Sequence, residues 1–260
     1  MDDGSCVVLK IGGAVAEDGA ITDMLFRELH GYTGRAVLVH GGGAALTRLS
    51  QRLGIEVTFS DGVRVTSSEE MELADMVLAG RVNTQLVRRA GVSGLKAAGL
   101  TGADGGLFLG KLVDPAALSR TASVEEVRPE MVHLLLSQGF LPIVASVGVD
   151  RTGDGVNINA DEAAQSLAAA LARDGHHVTL CYLSDINGVL NSGSSVIRDV
   201  PIAAVEDLVR NGTVRGGMTA KLRSAVAAIK MGLDNIVIGG YREPGDLQRL
   251  LAGDTGTTVH

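Results

Sequence analysis

Unbroken apolar runs that end in glycine constrain this chain most. Residues 5–11, 35–39 and 141–146 show no polar alternation, the pattern of strands buried on both faces. Helical periodicities separate them. Residues 21–32 carry apolar side chains at 21, 24, 25, 26 and 29, residues 44–53 stop at Gly54, and the alanine-rich 161–173 stops at Gly175. A hairpin is expected over 56–66 and a helical segment, bent or broken near Gly80, over 67–90. Strands are expected at 94–100, 105–113, 120–127, 177–183, 235–239 and 255–259. Further helices are expected at 129–138, 201–210, 218–231 and 244–251. Strand–helix alternation along the whole length predicts an α/β fold with a mainly parallel sheet.

Composition narrows the functional class. With 23 basic and 30 acidic residues the net charge is −7, there is no tryptophan, and tyrosine and phenylalanine number three and four. Neither a basic footprint nor stacking platforms for nucleic acid are present. Cys6 and Cys181 are too few for a disulfide framework and sit in strand-like runs, so buried free thiols in a reducing compartment are expected. The acidic start, Met1-Asp2-Asp3-Gly4, lacks the positive region of a signal peptide. The longest stretch without a charged residue, 131–149, is interrupted by His133, Ser137, Gln138, Gly139 and Pro142, so no membrane span is expected and the cytoplasm is the default location.

Polar residues collect where the strands end. Lys10-Ile11-Gly12-Gly13 closes the first strand, where open α/β sheets bind ligands. It reads either as an exposed lysine before a turn or as a cation beside bare amides. His40-Gly41-Gly42-Gly43 closes the second and leads into a helix, a ready anion site or a loose turn. Neither loop is a Walker A motif or a Gly-x-Gly-x-x-Gly fingerprint. Asp61-Gly62-Val63-Arg64-Val65-Thr66 offers an arginine fork suited to a carboxylate, or a solvated loop arginine. Asn157-Ile158-Asn159-Ala160-Asp161 opens the alanine-rich helix with more polar groups than one cap requires. Leu183-Ser184-Asp185-Ile186-Asn187-Gly188-Val189-Leu190 follows another strand. Gly216-Gly217-Met218-Thr219-Ala220-Lys221 opens a long helix and sets Lys221 in its first turn, where the helix dipole disfavours a cation unless an anion binds there too.

These six motifs, in this order, resemble the amino-acid kinase family over residues 6–259. The resemblance implies an eight-stranded, mainly parallel sheet between helices, a three-layer αβα sandwich. It also implies a substrate-binding and dimerisation lobe at 1–173 and an ATP-binding lobe at 174–260. The activity implied is ATP-dependent phosphorylation of a carboxylate. The arginine and Asn-x-Asn-Ala-Asp motifs favour the γ-carboxylate of N-acetyl-L-glutamate as acceptor over aspartate, carbamate, uridylate or glutamate. By resemblance, Lys10 and Lys221 neutralise the phosphoryl group in flight and Asp161 orients both lysines. Gly42, Gly43, Arg64 and Asn157 hold the acceptor, and Gly12 and Gly13 donate amides to phosphates. Asp185, Ile186, Asn187, Gly188, Val189 and Leu190, with Thr213, Val214 and Arg215, flank the nucleotide. Mg2+ is expected to ride on the ATP phosphates, with no protein ligands. The first strand starts without the extra helix of the arginine-inhibited members, so a homodimer is expected.

Two rivals stand beside this reading. A kinase for a carrier-linked aminoadipate or glutamate would need a basic docking rim, which a net charge of −7 does not support. A silent, amino-acid-sensing relative would be expected to have lost a lysine or the aspartate, whereas Lys10, Asp161 and Lys221 are all present.

Overall fold

The computed structural model describes residues 5–60, 62–114, 119–191 and 193–260; Asp61, the first residue of the arginine motif, lies outside them. The chain runs β1 (Ser5–Ile11), α1 (Gly13–Glu17), α2 (Gly19–His30), β2 (Arg35–His40), α3 (Gly43–Arg52), β3 (Thr58–Ser60) and β4 (Val63–Val65). It continues through α4 (Ser68–Ala74), a π-helix (Asp75–Val82), α5 (Asn83–Val92), β5 (Ala97–Leu100), β6 (Phe108–Leu112), β7 (Thr121–Val127), α6 (Glu130–Ser137) and β8 (Leu141–Ala145). Then come β9 (Val147–Val149), β10 (Gly155–Ile158), α7 (Ala160–Arg173), β11 (His177–Ser184), β12 (Asp199–Val200) and α8 (Val205–Arg210). Last are α9 (Gly217–Lys230), β13 (Asn235–Gly240), α10 (Asp246–Leu251) and β14 (Thr257–Val259).

Eight strands form one sheet in the order β12-β14-β13-β11-β1-β2-β8-β5, parallel throughout except where β13 meets β14. The unbroken apolar runs follow from burial on both faces. In β1, Cys6 and Val8 enter one core with α7 and α9, while Val7, Leu9 and Ile11 enter the other with α2, α3 and α5. Lys10 continues the Cys6–Val8 alternation, so it lies on the α7 face at the carboxyl end of the strand. Ala163, Ala164 and Ala168 are fully buried against that face; their small side chains let α7 lie close to the sheet. Both cysteines are buried, and burial pushes the Cys181 thiol up to about 12.

The expected bend near Gly80 is the π-helix, whose wider turn joins α4 to α5. Three short strands escape the sequence patterns, the two-residue β12 and the pair β9 and β10. β9 and β10 are three and four residues long and flank the Asp150–Asp154 turn. With β6 and β7 they close a small four-stranded ring beside the main sheet. Asn157 and Ile158 therefore belong to a strand and do not open α7, which starts at Ala160 behind its cap Asn159. Lys221 is likewise corrected: α9 starts at Gly217, so the lysine is its fifth residue, past the first turn, and the dipole argument for an anion there lapses.

One carboxylate ties the second-core helices together. Glu28 on α2 accepts from the Tyr241 hydroxyl at 2.9 Å and from the amides of Gly245 at 3.1 Å and Gln248 at 2.9 Å, capping α10. Burial, then this bond, raises the Tyr241 phenol well above its ordinary range. Glu28→Ala is expected to lower the urea-unfolding free energy by about 2 kcal/mol, the scale of hydrogen bonds to a charged group; an unchanged midpoint would contradict the latch.

Candidate active site

The carboxyl ends of β1, β2 and β11 meet the start of α7, the place where parallel sheets leave room for ligands. Asp161 stands there in the first turn of α7, its amide bonded to the Asn159 cap at 2.8 Å. Lys10 Nζ lies 2.7 Å from its Oδ1, and Lys221 Nζ, arriving on α9, lies 3.7 Å from its Oδ2. All three groups are partly buried, with 16 to 32 % of each side chain exposed. Two cations on one anion leave a net positive charge facing the cleft.

A cavity of about 470 Å³ opens beside this cluster, walled by the Gly41–Gly43 loop, Phe59, Arg64, Leu78 and Asn157. A second, of about 860 Å³, shares Arg64, Thr121 and Asn159 with it and continues past Asp161 to Tyr182 and Lys221. Together they form a trough from the glycine loop to the second lysine. Asn157 faces the first cavity from β10, its amide donating to Thr66 Oγ1 at 2.8 Å. A Cβ at Gly42 would meet Leu78 Cδ2 at 2.5 Å, so any side chain there would force Leu78 to shift. Gly43 begins α3, and its carbonyl accepts from Arg64.

Arg64 is more deeply committed than its motif suggests. Nη1 donates to Glu70 Oε1 at 2.6 Å, while Nη2 donates to Gly43 O at 3.0 Å and Thr47 Oγ1 at 2.5 Å. Its guanidinium lies over the Phe59 ring, 4.9 Å from the centroid. Glu70, fully buried, also accepts from Ser50 Oγ at 2.9 Å. Sequence reasoning missed Glu70 because Ser67-x-x-Glu70 already has a local explanation as a capping box, and Ser67 does accept from the Glu70 amide at 3.1 Å. Its carboxylate instead crosses to the arginine.

His40 shapes the glycine loop from beneath. Asn83 Nδ2 lies 3.0 Å from Nε2, so that nitrogen accepts and Nδ1–H donates to Gly41 O at 2.7 Å. Complete burial outweighs the Gly41 bond and lowers the imidazole to about 4.

The remaining sequence-predicted residues lie outside both cavities. The Gly12 amide is bonded to Leu183 O at 3.2 Å, and Gly13 heads the short α1. Residues 185–190 follow β11, and Gly188 has a steric reason: φ is +135°, and a Cβ would meet Thr257 Oγ1 at 2.7 Å. The Val189 amide donates to that same threonine hydroxyl at 2.8 Å, and Arg242 reaches the Asp185 carbonyl. Thr213, Val214 and Arg215 form the turn before α9, closed by the Thr213 amide on Asn211 Oδ1 at 3.0 Å and the Val214 amide on Leu208 O at 3.0 Å. Among the described residues no three His, Cys, Asp or Glu side chains converge as a metal site, and no helix is long and apolar enough to cross a membrane.

A model of the amino acid kinase family matches residues 5–240. An acetylglutamate kinase of Methanoculleus marisnigri is 34 % identical over 256 residues, spanning 92 % of this chain and 87 % of that protein. An acetylglutamate kinase of Pasteurella multocida is 35 % identical over 258 residues, spanning 97 % and 98 %. In structure, the N-acetylglutamate synthase of Neisseria gonorrhoeae, complexed with coenzyme A and N-acetyl-glutamate, superposes with a TM-score of 0.84 at 20 % identity, over 98 % of this chain and 59 % of that one. That last likeness is one of fold.

Two measurements check the site's framework. Glu70→Ala strands the buried Arg64 charge and is expected to lower unfolding free energy by about 3 kcal/mol, the low end for breaking a buried pair; a loss under about 1 kcal/mol would make the pair a surface-like one. His40 prefers the neutral form in the fold, so its contribution is whole above pH 6.5 and is lost as pH falls toward about 4. Its imidazole is expected to stay neutral in NMR spectra at about pH 5.5, and a titration midpoint near the ordinary 6.5 would contradict the burial.

Proposed function

The chain belongs to the amino acid kinase family, and on that footing we propose that it transfers the γ-phosphoryl group of ATP to the γ-carboxylate of N-acetyl-L-glutamate. The products are N-acetyl-L-glutamyl 5-phosphate and ADP, and the reaction is the second step of arginine biosynthesis. The observation that carries this reading is the convergence of Lys10 and Lys221, from the first strand and a late helix, on Asp161 at the mouth of a trough.

The chemistry needs no general base. A glutamate-type γ-carboxylate has a reference pKa of about 4.3 and is already a nucleophile at neutral pH. The difficulty is electrostatic, because two like charges 4 Å apart repel by about 4 kcal/mol at an effective dielectric near 20. Lys10 and Lys221 stand where they screen that repulsion and gather charge on the phosphoryl oxygens in flight. Asp161 keeps the two ammonium groups within one phosphate's reach without neutralising both. The smaller cavity suits the acceptor. Gly42 and Gly43 form its floor, Asn157 a polar wall, and Arg64 a cationic edge for the α-carboxylate. Arg64 enters already aligned by Glu70, so little ordering remains for binding.

The nucleotide is assigned to the half of the sheet from β11 to β14, beside residues 185–190 and 213–215, and the acceptor to the half from β1 to β5. Gly13 starts α1 just after β1, the strand that borders β11 in the sheet. Asp161 is shared between two lysines and is a poor ligand for a cation, so Mg2+ accompanying ATP would be held by the nucleotide's own phosphates, whose charge it would offset.

A coupled assay of ADP release with N-acetyl-L-glutamate, glutamate and aspartate side by side is expected to favour the acetylated substrate strongly. Equal turnover on the free amino acids would overturn the substrate assignment. Lys10→Ala and Lys221→Ala are each expected to lower kcat by about two orders of magnitude or more with the circular dichroism spectrum unchanged; near wild-type kcat in Lys221→Ala would remove that residue from the chemistry.

A further inference from the structure

The larger cavity contains an aromatic floor that the chemistry above leaves unused. Tyr182 pairs in register with Lys10 across β1 and β11 and is 1 % exposed. Its ring lies beneath Lys221, with Nζ 5.0 Å from the centroid, inside the distance at which a cation is drawn to a ring face.

Asp161 holds its two lysines unequally. Lys10 sits at hydrogen-bond distance, 2.7 Å, whereas Lys221 stands off at 3.7 Å, beyond it. A lysine on a flexible four-carbon stem, held only by a distant carboxylate, has a poorly defined head position. The tyrosine face supplies a second attraction.

Side chains of the two helices that carry the reacting groups pair beside the ring's hydroxyl. Gln165 lies one turn after Asp161 on α7, and Ser224 lies one turn after Lys221 on α9, so each shares its partner's helix face. Ser224 Oγ donates to Gln165 Oε1 at 2.8 Å. The Tyr182 hydroxyl faces that same amide, and burial keeps the phenol protonated. The hydroxyl and Gln165 Nε2 are both buried without a partner in this amide orientation. A half-turn of the amide satisfies both: its carbonyl accepts the Tyr182 proton and its NH2 donates to Ser224.

We propose that Tyr182 is a positioning residue for Lys221, its ring face holding the ammonium over the cleft and the Gln165–Ser224 pair locking the ring through its hydroxyl. This rests on the reading that Lys221 acts on the phosphoryl group in flight. Tyr182 touches no substrate in this account and acts through Lys221 alone.

The test combines kinetics with a readout that needs no turnover. Tyr182→Leu, which removes the ring, is expected to lower kcat roughly tenfold while KM for N-acetyl-L-glutamate and ATP stays within about twofold. Tyr182→Phe keeps the ring and is expected to recover most of that loss. In a Lys221→Ala background Tyr182→Leu should add no further loss, as a residue acting through Lys221 requires. Equal harm from Leu and Phe, or the same loss in both backgrounds, would overturn the proposal and leave Tyr182 a packing residue. Should Tyr182→Leu fail to fold, NMR of the wild-type protein decides: the Lys221 ε-methylene protons, assigned by their loss in Lys221→Arg, should be shifted upfield by the ring. Unshifted ε-protons would overturn the proposal. Absence of wild-type turnover on N-acetyl-L-glutamate would refute the substrate reading, while the upfield shift would still decide the contact between Tyr182 and Lys221.

Discussion

A single carboxylate placed between two ammonium groups governs the rest of the structure. Without Asp161, Lys10 and Lys221 would face one another across a half-buried cleft with no charge between them to offset their repulsion. Meeting that arrangement sets three demands. The first strand must end at Lys10 on the α7 face, α7 must begin beside it, and α9 must lie along α7. Buried Ala163, Ala164 and Ala168 allow α7 to approach the sheet, and Leu222, Ala225 and Ala228 seat α9 in the same core.

On the acceptor side, rigidity replaces flexible side chains. The arginine fork is divided between Glu70, Gly43 and Thr47 before anything binds, and a neutral histidine fastens the glycine loop from below. The four-stranded ring contributes Asn157 and Thr121 to the same wall; the Thr121 hydroxyl donates to Arg64 O at 2.7 Å. Hairpin, ring and helix α3 are thus fastened to one another through a few buried polar groups.

Much of this was legible in the residues. Strands buried on both faces show as apolar runs, and a mainly parallel sheet follows from their alternation with helices; its eight strands came from the family resemblance, not from the pattern. The lysines and the aspartate were legible because each sits in a polar motif at an element's end. What escaped has physical reasons. The strands β9 and β10 are too short to show a period, so Asn157 was read into the helix that follows. Glu70 has a sufficient local role as a helix-start residue, which hides its long-range partner. Tyr182 reads as one more apolar position in a strand, since its importance lies in what passes over its ring. The Gly12 amide, bonded to Leu183 O, depends on a parallel neighbour far along the chain, which no local motif reveals.

The most direct test of the central claim is the steady-state kinetics of Asp161→Asn with N-acetyl-L-glutamate and ATP, alongside its thermal unfolding. The substitution keeps shape and removes the charge that joins the lysines. A fall in kcat of about two orders of magnitude, with a cooperative unfolding transition retained, is the predicted result. A kcat within twofold of the wild-type value would contradict the account.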